Sequence, residues 1–122
     1  MNRVFVYGTL KAGNTTRGLH NTPGAEFVSV ATTSSGLYRM IDLGAFPAVL
    51  FGGKDDILGE IWEVTDTVFE QLDRIEGYPD FYTRTIVQTD QGYAWMYHFR
   101  KHEADAGTLM QSNEDGVLEW NT

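Results

Sequence analysis

Seven short runs rich in β-branched and aromatic residues constrain the fold of this chain more than any other feature. They cover residues 2–7, 25–32, 36–40, 48–51, 57–64, 83–89 and 93–100 and are separated by glycine, asparagine and aspartate. Apolar runs of this length between turn residues are typical of β-strands. The sequence therefore predicts a mostly β protein in which adjacent strands pair antiparallel, with a tight hairpin connection at residues 90–92 and a looser one at residues 52–56.

The segment after the fifth run has a helical period instead. Its apolar residues recur so that they share one helix face: Val68, Phe69, Leu72 and Ile75. Thr67 with Glu70 three residues later resembles a capping box, and Gly77 followed by Pro79 ends the pattern. A helix over residues 67–76, packed on one curled sheet, predicts an α+β domain that is a small mixed β-barrel with one main flanking helix.

Length and composition limit the classes of protein to which the chain can belong. Its 122 residues, 42% hydrophobic and 21% charged, suit one globular domain, which we expect to span residues 1–122. The formal charge of −8 disfavours nucleic-acid binding, and the lack of cysteine excludes disulfides and thiolate chemistry. No apolar run approaches the roughly 18 residues of a membrane span. We therefore expect a cytoplasmic monomer that binds neither nucleic acid nor membrane.

Two segments far apart in the chain are expected to form one site. The first is an apolar, β-prone run that ends at a glycine, so the sequence predicts that a buried strand stops there and turns through Tyr7, Gly8, Thr9 and Leu10. Backbone N–H groups in such a turn can hold a carboxylate or a carbonyl oxygen. The second segment is the predicted helix end, which leaves the carboxylate of Glu76 just before a glycine.

Three features around Glu76 predict a raised pKa for its carboxyl group. A carboxylate is disfavoured beside the carbonyl groups of a helix C-terminus, Asp73 lies one turn back on the same face, and Tyr78, Phe81 and Tyr82 can shield the site from water. A raised pKa suits a general base that works near neutral pH. Taken alone, a glutamate before a helix-ending glycine is also typical of a solvated surface position, so the hypothesis depends on the two segments together.

Other ionisable residues are given structural roles. Arg84 is expected to pair with Glu60, Glu63 or Asp73 across the sheet rather than to hold a substrate, and Tyr97 to be a half-buried strand residue. The spacing of the histidines does not converge on a metal ion, so no metal site is predicted from His20, His98 and His102.

Five motifs occur in order along most of the chain. They are Val6-Tyr7-Gly8-Thr9-Leu10-Lys11, Gly44-x-Phe46-Pro47, Leu58-Gly59-Glu60-Ile61-Trp62-Glu63-Val64, Leu72-Asp73-x-x-Glu76-Gly77 with Tyr82-x-Arg84, and Ala94-Trp95-Met96-Tyr97. Together they resemble the gamma-glutamylcyclotransferase-like family. The short length and the Tyr-Gly-Thr-Leu-Lys form are most similar to its AIG2-like branch, which includes gamma-glutamylamine cyclotransferases.

This resemblance implies a small β-barrel enzyme that needs no cofactor. Its substrate would be a small γ-glutamyl amine or peptide, which is cyclised internally to 5-oxoproline with release of the amine. By the same resemblance, Glu76 is the catalytic acid–base residue, and the backbone of residues 7–10 holds the glutamyl end of the substrate. Tyr82 matches a family tyrosine whose hydroxyl could position the substrate, although a core aromatic residue is an equal alternative.

The alternative function is a non-catalytic module on the same fold that binds a small acidic metabolite or a protein partner. Glu76 favours catalysis, because a carboxylate that faces the pocket would not help to bind an acidic ligand.

The tail is polar from Glu103 onward until Val117, Leu118 and Trp120, which we expect to dock on the domain. If the tail closes the pocket, Trp120 would shape the side that receives the leaving amine.

Overall fold

The computed structural model describes residues 1–8, 19–99 and 107–120. In these ranges it contains the strands β1 (Asn2–Val6), β2 (Ala25–Thr32), β3 (Tyr38–Asp42), β4 (Pro47–Phe51), β5 (Asp56–Val64), β6 (Thr83–Thr89), β7 (Gly92–His98), β8 (Thr108–Leu109) and β9 (Val117–Leu118). The helix α1 (Asp66–Ile75) lies between β5 and β6, and a 3₁₀ turn spans Leu19–Asn21. All seven predicted strands are present, each with both ends within two residues of the predicted bounds, whereas the two short strands of the tail were not predicted.

The main sheet has β1 near its centre, in the strand order β2-β5-β1-β7-β6. β1 pairs antiparallel with β5, from Asn2 opposite Val64 to Val6 opposite Glu60. On its other side it pairs parallel with β7. The tail adds β9 parallel to β5, and a second sheet has the order β4-β3-β8.

Two details of strand pairing differ from the predictions. The β1–β7 and β5–β9 pairs are parallel, which a hairpin connection cannot produce and a long crossover can. Residues 52–56 do not form a hairpin, since β4 and β5 lie in different sheets. This connection passes against the start of β3, where a Cβ atom at Gly53 would lie 2.1 Å from the carbonyl oxygen of Tyr38. The tight hairpin at residues 90–92 is confirmed, because β6 and β7 pair from Thr89 opposite Gly92.

A closed barrel is not confirmed by the pairing of the described strands. The edge strands β2 and β6 meet only at one end, through an isolated bridge between Thr33 and Thr89. There the backbone N–H of Asp90 donates to the carbonyl oxygen of Thr32 at 2.9 Å. The described ranges therefore form a mixed α+β fold of two sheets and one α-helix.

The helix begins and ends one residue earlier than predicted, and its N-cap lies two residues before Thr67 of the predicted capping box. Thr65 is the N-cap, and its Oγ1 accepts a hydrogen bond from the N–H of Val68 at 3.2 Å, so Thr67 is a helical residue. Val68 and Leu72 are buried as predicted, but Ile75 is 69% exposed. No helix in the described ranges is long and apolar enough to cross a membrane.

Side chains of β1 pack into two separate core clusters. Val4 and Val6 belong to the cluster that α1 covers through Val68 and Leu72. Phe5 and the following Tyr7 point to the other side, where the second cluster includes Ile61, Met96 and the tail residues Leu118 and Trp120. A strand buried on both faces has little freedom to shift, which gives the chain after Val6 a fixed starting point.

Candidate active site

A cavity of about 490 Å³ opens where the end of β1 meets the end of α1. Its lining consists of Phe5, Val6, Tyr7, Gly8, Phe46, Pro47, Ile75, Glu76, Phe81, Tyr82 and Tyr97. The structure therefore brings together four of the predicted site residues, namely Tyr7, Gly8, Glu76 and Tyr82. The other two, Thr9 and Leu10, lie outside the described residues.

The hydrogen bonds that end α1 determine the position of Glu76. Glu76 is the C-cap, and it is followed by Gly77 at φ +66°. The N–H of Tyr78 donates to the carbonyl oxygen of Asp73 at 2.8 Å, and the N–H of Gly77 donates to that of Arg74 at 3.2 Å, which together form a Schellman motif. A Cβ atom at residue 77 would lie 2.8 Å from that of Phe81, so glycine is required both by conformation and by space.

Burial raises the pKa of Glu76 from its ordinary value of 4.5 to about 7. Desolvation is the cause, because removal from water disfavours the charged form and, in the described part of the chain, no hydrogen bond or ion pair offsets it. The predicted rise is confirmed, and Glu76 is partly buried in the cavity wall rather than fully solvated. The expected repulsion from Asp73 is not the cause, since that carboxylate is paired with Arg84.

The hydroxyl groups of two cavity tyrosines are bound to the protein. Tyr82 Oη donates to the carbonyl oxygen of Pro47 at 2.7 Å. Tyr7 Oη donates to the carbonyl oxygen of Tyr97 at 2.7 Å and accepts from the N–H of Val49 at 3.3 Å. Burial, with the nearby Glu76 carboxylate as a smaller cause, raises the pKa of both hydroxyls far above neutral pH. Both tyrosines are therefore neutral, and their protons are already used within the fold.

Gly8 follows β1 in a bend and lies against the ring of Pro47. A Cβ atom at residue 8 would lie 3.1 Å from both Cγ and Cδ of that ring. The glycine thus allows the chain to pass close to the start of β4, at the point where Tyr82 also binds Pro47. Pro47 therefore joins two parts of the cavity lining, Gly8 after β1 and Tyr82 before β6.

Behind the cavity, the predicted ion pair of Arg84 is found with Asp73, one of the three candidate partners. Arg84 Nε donates to Asp73 Oδ1 at 2.9 Å and Nη2 donates to Oδ2 at 3.2 Å. Tyr97 is more buried than predicted, and its hydroxyl donates to Asp73 Oδ1 at 2.5 Å. This hydrogen bond was not predicted from the sequence, although helix spacing placed Asp73 on the same side as Glu76.

Three apolar side chains line the outer part of the cavity: Phe46, Ile75 and Phe81. Ile75 was predicted on the buried helix face and Phe81 among residues that shield the site. Ile75 is exposed because it occupies the last turn of the helix, where the cavity rather than the core lies beside it. Its position next to Glu76 in the sequence is the signal that could have identified it.

Other candidate residues lie away from this cavity. Trp120 packs in the second core cluster and is not part of the lining, so the tail does not close this cavity through Trp120. His98 Nε2 lies 2.8 Å from Thr85 Oγ1, and burial lowers the pKa of its imidazole. His102 and Glu103 lie outside the described residues. In the described ranges, no three metal-ligating side chains are grouped together.

The comparisons with known proteins agree with the fold and show the family. Residues 4–120 match the family model described as gamma-glutamyl cyclotransferase, AIG2-like. This chain belongs to the AIG2-like gamma-glutamyl cyclotransferase family.

Individual relatives cover most of the chain. The gamma-glutamylcyclotransferase family protein YtfP of Escherichia coli K12 is 28% identical over 92% of this chain and 94% of its own length. The gamma-glutamylaminecyclotransferase B of Danio rerio is 36% identical over 84% of this chain and 61% of its own length. A mouse AIG2-like protein of known crystal structure has a TM-score of 0.71 at 24% identity, over 100% of this chain and 96% of that chain. The last comparison supports the fold alone.

Proposed function

We propose that this protein cyclises a small γ-glutamyl amine or γ-glutamyl peptide to 5-oxoproline and releases the amine, with Glu76 as general acid and base. The observation that carries the proposal is a desolvated carboxyl group, with its pKa near 7, in the wall of a cavity large enough for such a substrate. A group with this pKa is half ionised at neutral pH, so it can both take and return a proton. Family membership supports the same reaction class.

The reaction starts from the α-ammonium group of the γ-glutamyl moiety. Glu76 takes a proton from it, and the freed nitrogen lone pair attacks the γ-carbonyl carbon within the same molecule. A five-membered ring forms, and the carbonyl oxygen becomes an oxyanion. Attacking and attacked atoms belong to one small molecule, so binding it in a folded conformation supplies much of the acceleration.

The second step breaks the bond between the γ-carbon and the amide nitrogen. Protonated Glu76 gives its proton to that nitrogen as it departs, and the oxyanion collapses to the carbonyl of 5-oxoproline. The remaining extra proton on the ring nitrogen passes to the released amine, which leaves as an ammonium ion. No electrons enter or leave, so the chemistry itself requires neither an oxidant nor a carrier of the acyl group.

The oxyanion needs fixed hydrogen-bond donors, and we assign these to backbone N–H groups at the turn after β1. Gly8 lies in the cavity wall, and Thr9 and Leu10 follow it in the sequence. Backbone donors of this kind typically contribute about 3–4 kcal/mol each to stabilisation of the transition state. The tyrosine hydroxyls are less suited to this task, because Tyr7, Tyr82 and Tyr97 already donate to protein oxygens.

The test is a mass-spectrometric assay for 5-oxoproline on a panel of γ-glutamyl amino acids and γ-glutamyl amines. Wild type and Glu76→Gln are compared with Glu70→Gln, which makes the same chemical change at an exposed position of the same helix. Product from wild type and Glu70→Gln but not from Glu76→Gln supports the proposal, and the best substrate identifies the leaving amine. Normal turnover by Glu76→Gln would remove this residue from the mechanism. No product from any substrate would favour the binding module instead.

A further inference from the structure

The side chains of Asp73, Arg84 and Tyr97 form a cluster behind the cavity wall that the proposed reaction does not use. Asp73 Oδ1 accepts hydrogen bonds from Tyr97 Oη at 2.5 Å and from Arg84 Nε at 2.9 Å, and Oδ2 accepts from Arg84 Nη2 at 3.2 Å. One carboxylate of α1 is therefore bonded to both β6 and β7. Such charge-assisted, two-point contacts fix geometry as well as supplying energy.

Three aromatic rings hold the guanidinium group of Arg84. Its Cζ lies 4.4 Å from the ring centroid of Phe69 and 4.5 Å from those of Tyr78 and Trp95. These rings come from the helix, from the segment after it and from β7, so the cation is enclosed by the same elements that Asp73 joins. The side chains of Arg84 and Asp73 are only 17% and 23% exposed, and the ion pair is therefore partly shielded from water and salt.

This cluster is adjacent to Glu76 in two ways. Asp73 precedes Glu76 by three residues, a spacing that places their Cβ atoms about 5–6 Å apart on one side of a helix. The carbonyl oxygen of Asp73 also accepts the hydrogen bond from Tyr78 that closes the turn capped by Glu76. In addition, Tyr97 lines the cavity with its ring while its hydroxyl binds Asp73.

We propose that Asp73 and Arg84 are positioning residues for Glu76: they clamp the last turn of α1 to β6 and β7, and Arg84 cancels the charge of Asp73 beside the base. This inference deepens the proposed function and rests on Glu76 being its acid–base group. The two parts of the role are separable by mutation. Changes to the charge of either partner alter the electrostatic field at Glu76, whereas changes to the geometry alter how well Glu76 is placed.

The remaining titratable groups near Glu76 do not compete with this pair. Those near it are the hydroxyls of Tyr7 just after β1, Tyr82 just before β6 and Tyr97 in β7, and burial raises the pKa of each so that all stay neutral. Arg74 and Asp80, its other charged neighbours in the sequence, are exposed, and solvent screens them. Asp73 and Arg84 are therefore the charges whose removal should be detected at Glu76.

Two single variants are expected to shift the titration of Glu76 in opposite directions. Arg84→Met leaves the negative charge of Asp73 uncompensated, which disfavours ionised Glu76 and moves its midpoint up by about half a pH unit. Asp73→Asn leaves the positive charge of Arg84 uncompensated, which favours ionised Glu76 and moves the midpoint down by a similar amount, about half a unit. The double variant Asp73→Asn with Arg84→Met removes both charges and is expected to return near to wild type.

The first measurement is a pH titration by NMR of protein carrying ¹³C-carboxyl glutamate, with Glu76→Gln used to identify the signal of Glu76. This readout does not require turnover, so a failure of the proposed reaction would be separate from a failure of the positioning role. The acid limb of kcat/KM against pH is the second readout, and its midpoint should move with the NMR midpoint. Arg3→Met is the matched control, because it removes a cation whose Nη2 binds the carbonyl oxygen of Gln91 at the opposite end of the sheet.

Arg84→Lys separates the charge from the clamp. Lysine keeps the charge but lacks the planar, bidentate donor group, so the midpoint should stay near wild type while kcat falls about tenfold. Shifts of both single variants in the same direction, or no shift in either while thermal unfolding shows that they are folded, would overturn the proposal. If a single variant does not fold, the double variant and Arg84→Lys are measured in its place. A midpoint in Arg84→Lys that is displaced as far as expected for Arg84→Met would equally overturn the proposal.

Discussion

Two neighbouring carboxylates at the C-terminal end of α1, those of Asp73 and Glu76, lie in opposite surroundings. Asp73 accepts three side-chain hydrogen bonds and is paired with a cation, whereas Glu76 lies in a cavity wall without such partners among the described residues. Three positions along one helix therefore separate a carboxylate that stabilises the fold from one that is costly to ionise. The difference indicates that the surroundings of Glu76 serve chemistry, because compensation of a carboxylate is available one turn away.

The largest expected effect is the loss of catalysis when the carboxylate of Glu76 is removed. Glu76→Gln removes the proton acceptor and keeps the shape, so kcat/KM should fall by about 10²–10⁴-fold, the usual contribution of a general acid–base residue. Asp73→Asn should retain considerably more activity, because it does not touch the reacting atoms. Steady-state release of 5-oxoproline measures both variants. Equal losses of activity in the two variants would show that the different surroundings of Asp73 and Glu76 do not correspond to different roles in catalysis.

The same substitution should have the opposite effect on stability. Because the pKa of Glu76 is higher in the folded protein than in the unfolded chain, its contribution to stability is full below about pH 4.5 and is lost as the pH rises through about 7. Glutamine resembles the protonated form at every pH. Glu76→Gln should therefore raise the free energy of unfolding by about 2–3 kcal/mol at pH 8 and change it little at pH 4.5.

Urea unfolding of both proteins at the two pH values measures this difference. Glu70→Gln, at an exposed position of α1, serves as the control and should show no such pH dependence. A stabilisation of Glu76→Gln that is the same at pH 4.5 and pH 8 would contradict the raised pKa.

Truncation of Asp73, the carboxylate paired with Arg84, should destabilise the protein. Asp73→Ala leaves the partly buried guanidinium group of Arg84 without its carboxylate and removes the acceptor of Tyr97 Oη. We expect a loss of about 2 kcal/mol, below the full cost of a buried ion pair since both side chains are partly exposed. Urea denaturation measures it, with Glu70→Ala as an exposed control. A loss of unfolding free energy no larger than that of Glu70→Ala would contradict a stabilising role for Asp73.

The smallest expected effect is that of removing the hydroxyl of Tyr82 in the cavity wall. Tyr82→Phe removes the donor to the carbonyl oxygen of Pro47 and should cost about 1 kcal/mol of stability. The ring remains in place, so kcat/KM should change less than about tenfold. Tyr93→Phe, at an exposed strand position, is the matched control for stability. A catalytic loss for Tyr82→Phe as large as that for Glu76→Gln would give the hydroxyl a direct role in the reaction.

Local sequence patterns predicted much of the fold and part of the site. Turn residues and β-prone runs located all seven longer strands, because strand length and tight connections depend mainly on neighbouring residues. The pattern at the helix end likewise predicted a carboxyl group with a raised pKa at Glu76. Pairing between distant segments was less accessible, and the parallel β1–β7 pair and the separate sheets of β4 and β5 were not predicted.

Within the site, the errors have a common origin. Ile75 was predicted to be buried because helix periodicity reports which residues share a face, but not where the core ends. The role of Tyr82 in substrate binding stays a prediction, but the sequence did not show that its hydroxyl donates to Pro47, a residue distant in the chain. Repulsion from Asp73 was wrongly predicted as one cause of the raised pKa of Glu76. The sequence did not show which of three acidic residues forms the ion pair with Arg84.

The sequence by itself determined the strand-forming runs, the end of α1 at a glycine and the presence of Glu76 at that end, because each depends on interactions within a few residues. Only the tertiary structure decided that Tyr7, Gly8 and Glu76 share one cavity, that Asp73 is compensated, and that Glu76 is desolvated. These properties arise from the packing of distant elements around β1. Electrostatic energies depend on burial and on distances through space, which the order of residues along the chain does not contain.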